Sequence, residues 1–335
     1  MKILYAIQGT GNGHISRARE IIPHLLKYGE LDLLISGTQA EVSLPYIIKY
    51  KKPGLGYTFG KQGGIDLVDS FKHLRPFDFL KDIHSFPVQQ YDLVVNDFEP
   101  VSAWACKLKK KPCIALSHQS SFLSMKTPRP ATKDGFAENL FKHYAPSTAA
   151  YGFHFKPYDS FIHTPVIRSD VRKLEPSNKG HITVYLPAHG DEILIKQFTQ
   201  IKDVQWEVFS KHSKLEYTVG NVHIKPVLNE AFTQSLATGD GLITAGGFES
   251  PAEAIHLRKK VLSIPMGNQY EQLCNAQAMK DLGITVVKEI DHHFVSKVNT
   301  WAKFAFPANI YYPDNTAKIV EDLVMKHGVK NAVSV

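Results

Sequence analysis

The residues best suited to chemistry in this 335-residue chain lie between Thr244 and Ala276. Gly241-Leu242-Ile243-Thr244 has the pattern of a buried strand. It runs directly into Ala245-Gly246-Gly247-Phe248-Glu249-Ser250-Pro251-Ala252-Glu253. A strand, a two-glycine turn and an opening helix aim unpaired backbone N–H groups at one point, where a helix N-terminus carries about half a positive charge. That arrangement suits a diphosphate. Glu253, one turn into the helix, is placed to take a ribose diol. Glu271 and Gln272, in the next loop, are placed to take the hydroxyls of a sugar, so the whole reads as a nucleotide-sugar site.

A second glycine loop, Gly9-Thr10-Gly11-Asn12-Gly13-His14, stands near the start. It lacks the G-x-G-x-x-G spacing of a dinucleotide site, and the following strand ends in Ser36-Gly37-Thr38 with no acid to hold a ribose. It also lacks the Gly-Lys-Ser/Thr ending of an NTPase phosphate loop. NAD and ATP chemistry both lose ground. What remains is a tight turn delivering His14 to a helix N-terminus, whose dipole favours a neutral imidazole usable as a general base. The plain alternative is that His14 only caps the helix. Such a base needs an orienting carboxylate, and Asn96-Asp97-Phe98-Glu99 supplies two candidates, Asp97 and Glu99, directly after the apolar Leu93-Val94-Val95. Asp97 capping the following helix is the structural alternative. The chain contains no Asp-x-Asp pair, so no metal bound by that motif is expected, and no cofactor beyond a nucleotide-sugar co-substrate.

These residues need strand ends to carry them. Ile3 to Ile7 predicts a strand, and Ile15, Ala18, Ile21, Ile22, Leu25 and Leu26 share one face of the helix after it; Leu31 to Ile35 predicts the next strand. Near-continuous apolar strands in β-loop-α-β order indicate a parallel sheet covered by helices, with further strands at Leu93-Val94-Val95 and Ile114-Ala115-Leu116. A second α/β run has strands at Ile182 to Leu186, Trp206 to Phe209, Val222 to Ile224, Gly241 to Thr244 and Val261 to Ile264. The Pro-, Ser- and charge-rich stretch 156–180 reads as a linker, with a boundary near Pro165. The expected division is residues 1–165, residues 166–315, and a C-terminal segment 316–335 whose helix is able to pack back on the first domain. Two open parallel sheets facing one another place their ligand outside the strand carboxyl ends, and both glycine loops sit at such ends.

Composition sets the frame. The length favours two domains. An apolar content of 43% and a charged content of 21% are those of a soluble globular protein, and no apolar run approaches the ~18 residues that span a bilayer. The apolar segment after Met1-Lys2 is too short for a signal peptide, so a cytoplasmic enzyme is expected. Cys106, Cys113 and Cys274 lack disulfide or zinc spacing. A net charge of +7 favours anionic partners, among them nucleotides, acidic glycans and the inner membrane face as a peripheral contact. No nucleic-acid partner is expected.

Taken together, Gly9-Thr10-Gly11-Asn12-Gly13-His14, Thr244-Ala245-Gly246-Gly247 with Glu253, and Pro265 with Glu271-Gln272-Leu273-Cys274-Asn275-Ala276 resemble the GT-B glycosyltransferases. The similarity is to the group of the peptidoglycan N-acetylglucosaminyltransferase and the antibiotic and flavonoid glucosyltransferases. The resemblance implies two Rossmann-like domains with parallel sheets facing a central cleft. The first would hold a small-molecule, glycan or lipid acceptor and the second a nucleotide-sugar, most often a UDP-sugar, for an inverting, metal-independent transfer. It places Gly246, Gly247, Phe248 and Ser250 in a diphosphate turn, Glu253 on the ribose, Glu271 and Gln272 on the donor sugar, and Val227 on the nucleobase. His189 falls at another phosphate-proximal turn, Gly11 and Gly13 face the donor from the first loop, and His118 falls in an acceptor-side motif. Two departures stand out: Glu271-Gln272 where relatives often carry Asp-Gln, and Ala245 where the peptidoglycan enzyme has arginine. A nucleotide-sugar hydrolase or 2-epimerase of the same fold, or a non-catalytic nucleotide-sugar-binding protein, remain the alternatives. The sequence leaves the donor sugar and the acceptor open.

Overall fold

The computed structural model describes residues 1–37, 44–54 and 76–328. Thr38 and residues 329–335 of the expected C-terminal segment lie outside them. The first sheet contains β1 (Lys2–Gln8), β2 (Glu30–Ser36), β3 (Tyr50–Lys52), β4 (Leu93–Asp97), β5 (Ile114–Ser117), β6 (Ala149–Phe153) and β7 (Ile162–His163). Its order is β3-β2-β1-β4-β5-β6-β7, parallel throughout. The helices α1 (Asn12–Leu25), α2 (Pro76–Ser85), α3 (Pro100–Leu108), α4 (Gly135–His143) and α5 (Ser169–Arg172) accompany it.

The second sheet contains β8 (His181–Tyr185), β9 (Gln205–Ser210), β10 (Tyr217–Val219), β11 (Val222–Pro226), β12 (Gly241–Thr244), β13 (Lys260–Ser263) and β14 (Thr285–Val286). The order is β10-β11-β9-β8-β12-β13-β14, and only the edge strand β10 runs antiparallel. Its helices are α6 (Asp191–Phe198), α7 (Asn229–Thr238), α8 (Glu249–His256), α9 (Tyr270–Asp281) and α10 (Phe294–Phe304); α11 (Thr316–His327) closes the described chain.

Both sheets reverse direction at a defined point. In the first, the chain builds outward from β1 through β3 and then returns to lay β4 against the other side of β1. The second does the same with β8 and β12. Such switch points open a crevice at the strand carboxyl ends, where adjacent loops splay apart. The loops after β1 and β4, and those after β8 and β12, are the ones singled out from the sequence.

The apolar pattern explains the packing. Every residue of β1 after Lys2 is buried, as a strand covered by helices on both faces requires. Ile15, Ala18, Ile21, Ile22 and Leu25 of α1 join Ile3, Tyr5 and Ile7 in one core cluster. Ile319, Val320, Leu323 and Val324 of α11 enter the same cluster, so the last helix packs on α1. That cluster also takes in Leu242, Ala252 and Ile255 of the second lobe. Leu26, expected on the buried face of α1, lies past the helix end and is exposed. The stretch expected to be a linker contains β7 and α5. Among the described residues no helix is long and apolar enough to cross a membrane, and Cys106, Cys113 and Cys274 are buried free thiols.

Candidate active site

Gly11 is the N-cap of α1, with a φ of 89° that a side chain would strain, and it offers no capping side chain. The helix therefore opens without a side-chain cap and places His14 in its first turn. On the neighbouring strand, Asp97 pairs in parallel register with Ile7 at the carboxyl end of the sheet. The imidazole and the carboxylate meet: His14 Nδ1 lies 2.8 Å from Asp97 Oδ1. Phe98, immediately after Asp97, has a φ of 55°, a left-handed conformation that costs a bulky residue on the order of 1–2 kcal/mol and fixes where β4 ends.

Arg17, one helical turn beyond His14, completes the cluster. Its Nε donates to Asp97 Oδ2 at 3.1 Å, and its Nη2 donates to Oδ1 at 2.8 Å and Oδ2 at 3.0 Å. Burial alone would raise the Asp97 carboxyl, but Arg17 and His14 outweigh it and hold the group below its ordinary value. A charged carboxylate only accepts, so the His14 proton belongs on Nδ1, beside which Arg17 Nη2 stands at 3.2 Å. Among the described residues Nε2 makes no hydrogen bond. The ring is thus oriented with its basic nitrogen unengaged, the arrangement a general base needs.

Glu99, the other orienting candidate, does something else. It is the N-cap of α3, accepting from Val101 N and Ser102 N at 2.7 Å each and from Ser102 Oγ at 2.6 Å. The capping role considered for Asp97 belongs to Glu99, so Glu99 is a structural residue; burial raises its carboxyl.

In the second lobe β12 ends at the predicted turn. Gly246 adopts a φ of 86°, is buried, and accepts Asn275 Nδ2 through its carbonyl at 3.3 Å; a Cβ there would come 3.0 Å from Ser263 Oγ. Gly247 is exposed, with open space where a side chain would be. Phe248, the N-cap of α8, provides no side-chain cap, and Ser250 is half-buried in the first turn. The first N–H groups of α8 thus have no side-chain cap. Phe248 itself is buried, its ring stacked on His118 at 3.9 Å and 4°. It packs the second lobe against the first.

Four other expected residues sort by exposure. His189, in the turn after β8 where its N–H donates to Leu186 O at 3.0 Å, is half-buried, and burial lowers its imidazole. Val227, between β11 and α7, is also half-buried at the same end of the sheet. Glu271 is half-buried; it accepts from Gln119 Nε2 at 3.1 Å across the cleft, and burial raises its carboxyl. Gln272 turns the other way, 9% exposed, with its Oε1 accepting Met266 N at 3.0 Å to brace the loop after β13. The expected acid–amide pair is therefore split, one group at the cleft and one in the scaffold.

Two further expected residues are buried and engaged by partners within the protein. Glu253 is 5% exposed and its carboxylate is taken by Arg168, Nε to Oε1 at 2.7 Å and Nη2 to Oε2 at 3.3 Å; Arg168 also donates to Asn229 and Thr233. Through Arg168 it braces α8 against α7, and its oxygens are engaged there rather than open to the cleft. His118 is 1% exposed, with Nδ1 2.8 Å from Phe153 O and Nε2 3.0 Å from Asn275 Oδ1; burial pushes it down to about 3. In this structure it is a neutral joint between the lobes.

Sequence reasoning passed over Arg17 and Glu249. Glu249, first residue of α8, turns toward the first lobe, where its Oε1 meets Arg17 Nη1 at 2.5 Å. A Cβ on Gly13 would lie 2.5 Å from Glu249 Oε2, so glycine there is what lets the carboxylate in. The i, i+3 spacing of His14 and Arg17, which puts the two on one helical face, was the available signal for Arg17. In the first lobe a cavity of about 120 Å³ opens at the ends of β4 and β5, lined by Phe98, Ser117, Ser120, Leu123, Phe141 and Lys142 among others.

Two parallel-sheet lobes with their switch points at a shared cleft are the GT-B architecture. The model of the Glycosyl transferase family 1 matches residues 72–302, well over half of the chain, and the chain belongs to that family. It is a glycosyltransferase. No curated protein matches it in sequence. Solved structures with the same fold include Arabidopsis thaliana UGT89C1 complexed with UDP-L-rhamnose (TM-score 0.64, 12% identity, 98% of this chain and 99% of that one). Acinetobacter baumannii MurG superposes with a TM-score of 0.61 at 14% identity over 97% and 99% of the two chains. The glycotransferase of kitacinnamycin gives 0.59 at 12% over 98% and 95%.

Proposed function

We propose that the enzyme transfers a sugar from a UDP-sugar to an acceptor hydroxyl with inversion and without a divalent metal. The reading rests on the buried His14–Asp97 pair at the switch point of the first lobe. His14 Nε2 takes the proton of the acceptor hydroxyl, and Asp97 stabilises the imidazolium that forms. The acceptor oxygen attacks the anomeric carbon as the bond to the diphosphate breaks, and UDP leaves with the electron pair. A single displacement inverts the centre.

The leaving group collects negative charge where the Gly246–Gly247 turn and the uncapped α8 N-terminus offer N–H donors. One preorganised donor of this kind is worth ~3 kcal/mol. The absence of an Asp-x-Asp pair supports leaving the charge to these dipoles. UDP is favoured because UGT89C1, which shares the fold, is known in complexes with UDP and with UDP-L-rhamnose. The same neighbour is also known in complex with quercetin, which supports reading the acceptor as a small polyhydroxylated ring, and the Phe98–Phe141 cavity supplies apolar walls with hydroxyls for such a group.

The test is a thermal-shift series with UDP-, dTDP- and GDP-sugars, followed by proton NMR of the product. A ligand at ~100 times its dissociation constant adds ~2.7 kcal/mol. Stabilisation by UDP-sugars and an inverted anomeric centre are expected. No shift with any of them removes the donor assignment, a retained centre removes the single displacement, and full-rate UDP release without acceptor makes the enzyme a hydrolase.

A further inference from the structure

The middle of an anion cradle is an odd place for an acid, yet Glu249 stands between Gly247 and Ser250 at the N-terminus of α8. Its carboxylate crosses the cleft to Arg17 Nη1 and rests against Gly13, in the first turn of α1. Three sources of positive potential therefore meet on one carboxylate: two helix N-termini and a guanidinium that is 3% exposed. Arg17 spends Nε and Nη2 on Asp97, leaving Nη1 as the arm that reaches the other lobe.

We propose that Glu249 is an internal anion holding the diphosphate position of the unliganded enzyme, and that Arg17 passes from Glu249 to the donor's diphosphate when the donor enters. This rests on the placing of the diphosphate at the Gly246–Gly247 turn. Two negative groups cannot share the cradle, so donor entry turns the Glu249 side chain out to solvent, which its 25% side-chain exposure allows. Arg17 Nη1 then bonds a phosphate oxygen while Nε and Nη2 keep Asp97. Donor occupancy and the orientation of the His14–Asp97 pair are thereby held by one side chain, and Arg17 acts on the base as a positioning residue.

The test is isothermal titration of inorganic pyrophosphate and of UDP into the wild type, Glu249→Gln, Arg17→Lys and the double variant, with melting temperatures recorded for each. Glu249→Gln is expected to bind both ligands at least fivefold more tightly than the wild type. Lysine keeps the charge but has one head group for two tasks, so Arg17→Lys is expected to bind at least tenfold more weakly, and the double variant to lose the gain of Glu249→Gln. Unchanged or weaker pyrophosphate binding in folded Glu249→Gln overturns the proposal, as does an Arg17→Lys protein that binds pyrophosphate like the wild type. Pyrophosphate bound with these differences and UDP no more tightly than pyrophosphate would sink the uridine assignment while leaving the exchange intact.

Discussion

Replacing Asp97 by asparagine removes one charge and leaves nearly every atom in place. In the wild type the carboxylate, fully buried, accepts from His14 Nδ1 and from Arg17. During transfer the imidazole becomes an imidazolium. An anion about 4 Å away at an effective dielectric of about 20 stabilises that charge by ~4 kcal/mol, roughly a thousandfold in rate. Asparagine can also present its amide N–H to Nδ1, which would move the ring proton to Nε2 and abolish the base. Asp97→Asn should therefore lower the rate of transfer by at least ~10³ with little change in UDP affinity. It also leaves the buried Arg17 with Glu249 as its one ionic partner among the described residues, and losing one member of a buried pair costs ~3–5 kcal/mol, so the melting temperature should fall. The assay is UDP release with the donor identified by thermal shift, at a temperature where the variant is folded. Adding Asp97→Asn to His14→Ala should cost almost nothing more, because the two residues act as a unit. A folded Asp97→Asn enzyme within tenfold of wild type, or a double variant showing additive losses, would refute the reasoning.

Acid stability follows from the same carboxylate. The folded value of Asp97 is depressed, so its contribution is complete above the unfolded value near 3.8 and is lost as pH falls from there through the folded value. Melting temperatures measured between pH 5 and 3 should drop more steeply for the wild type than for Asp97→Asn. Gly246→Ala forces a side chain into a φ of 86° beside Ser263 Oγ; a loss of ~1–2 kcal/mol in chemical denaturation and weakened UDP binding are expected. Glu99→Gln weakens the α3 cap and should cost ~1 kcal/mol or more, while the folded protein turns over within about threefold of wild type. A loss of several hundredfold there would return Glu99 to the chemistry.

Much of the fold could be read from the sequence because its signals are local. Short apolar runs mark β1, β4, β8 and β12, each followed by a loop and a helix; that loop is glycine-rich after β1 and β12, has one glycine after β8 and none after β4. Strand ends in such a sheet converge, so His14 and Asp97 were brought together by topology alone. Strands of two or three residues, such as β7 and β14, carry no periodicity and were invisible. The division of labour between Asp97 and Glu99 was equally hidden, since both precede a helix and only the left-handed turn at Phe98 decides which one reaches its N-terminal N–H groups. Pairings between distant positions were beyond local reading. Arg168 claims Glu253 and Arg17 claims Glu249 across 85 and 232 residues, and each changes what its carboxylate is free to do.

Single-turnover transfer by His14→Ala, measured alongside calorimetric UDP binding, bears most directly on the assignment of the base. Binding within about twofold of wild type with transfer slowed by ~10²–10⁴ is predicted, the span a general base contributes. Transfer within tenfold of wild type would contradict it.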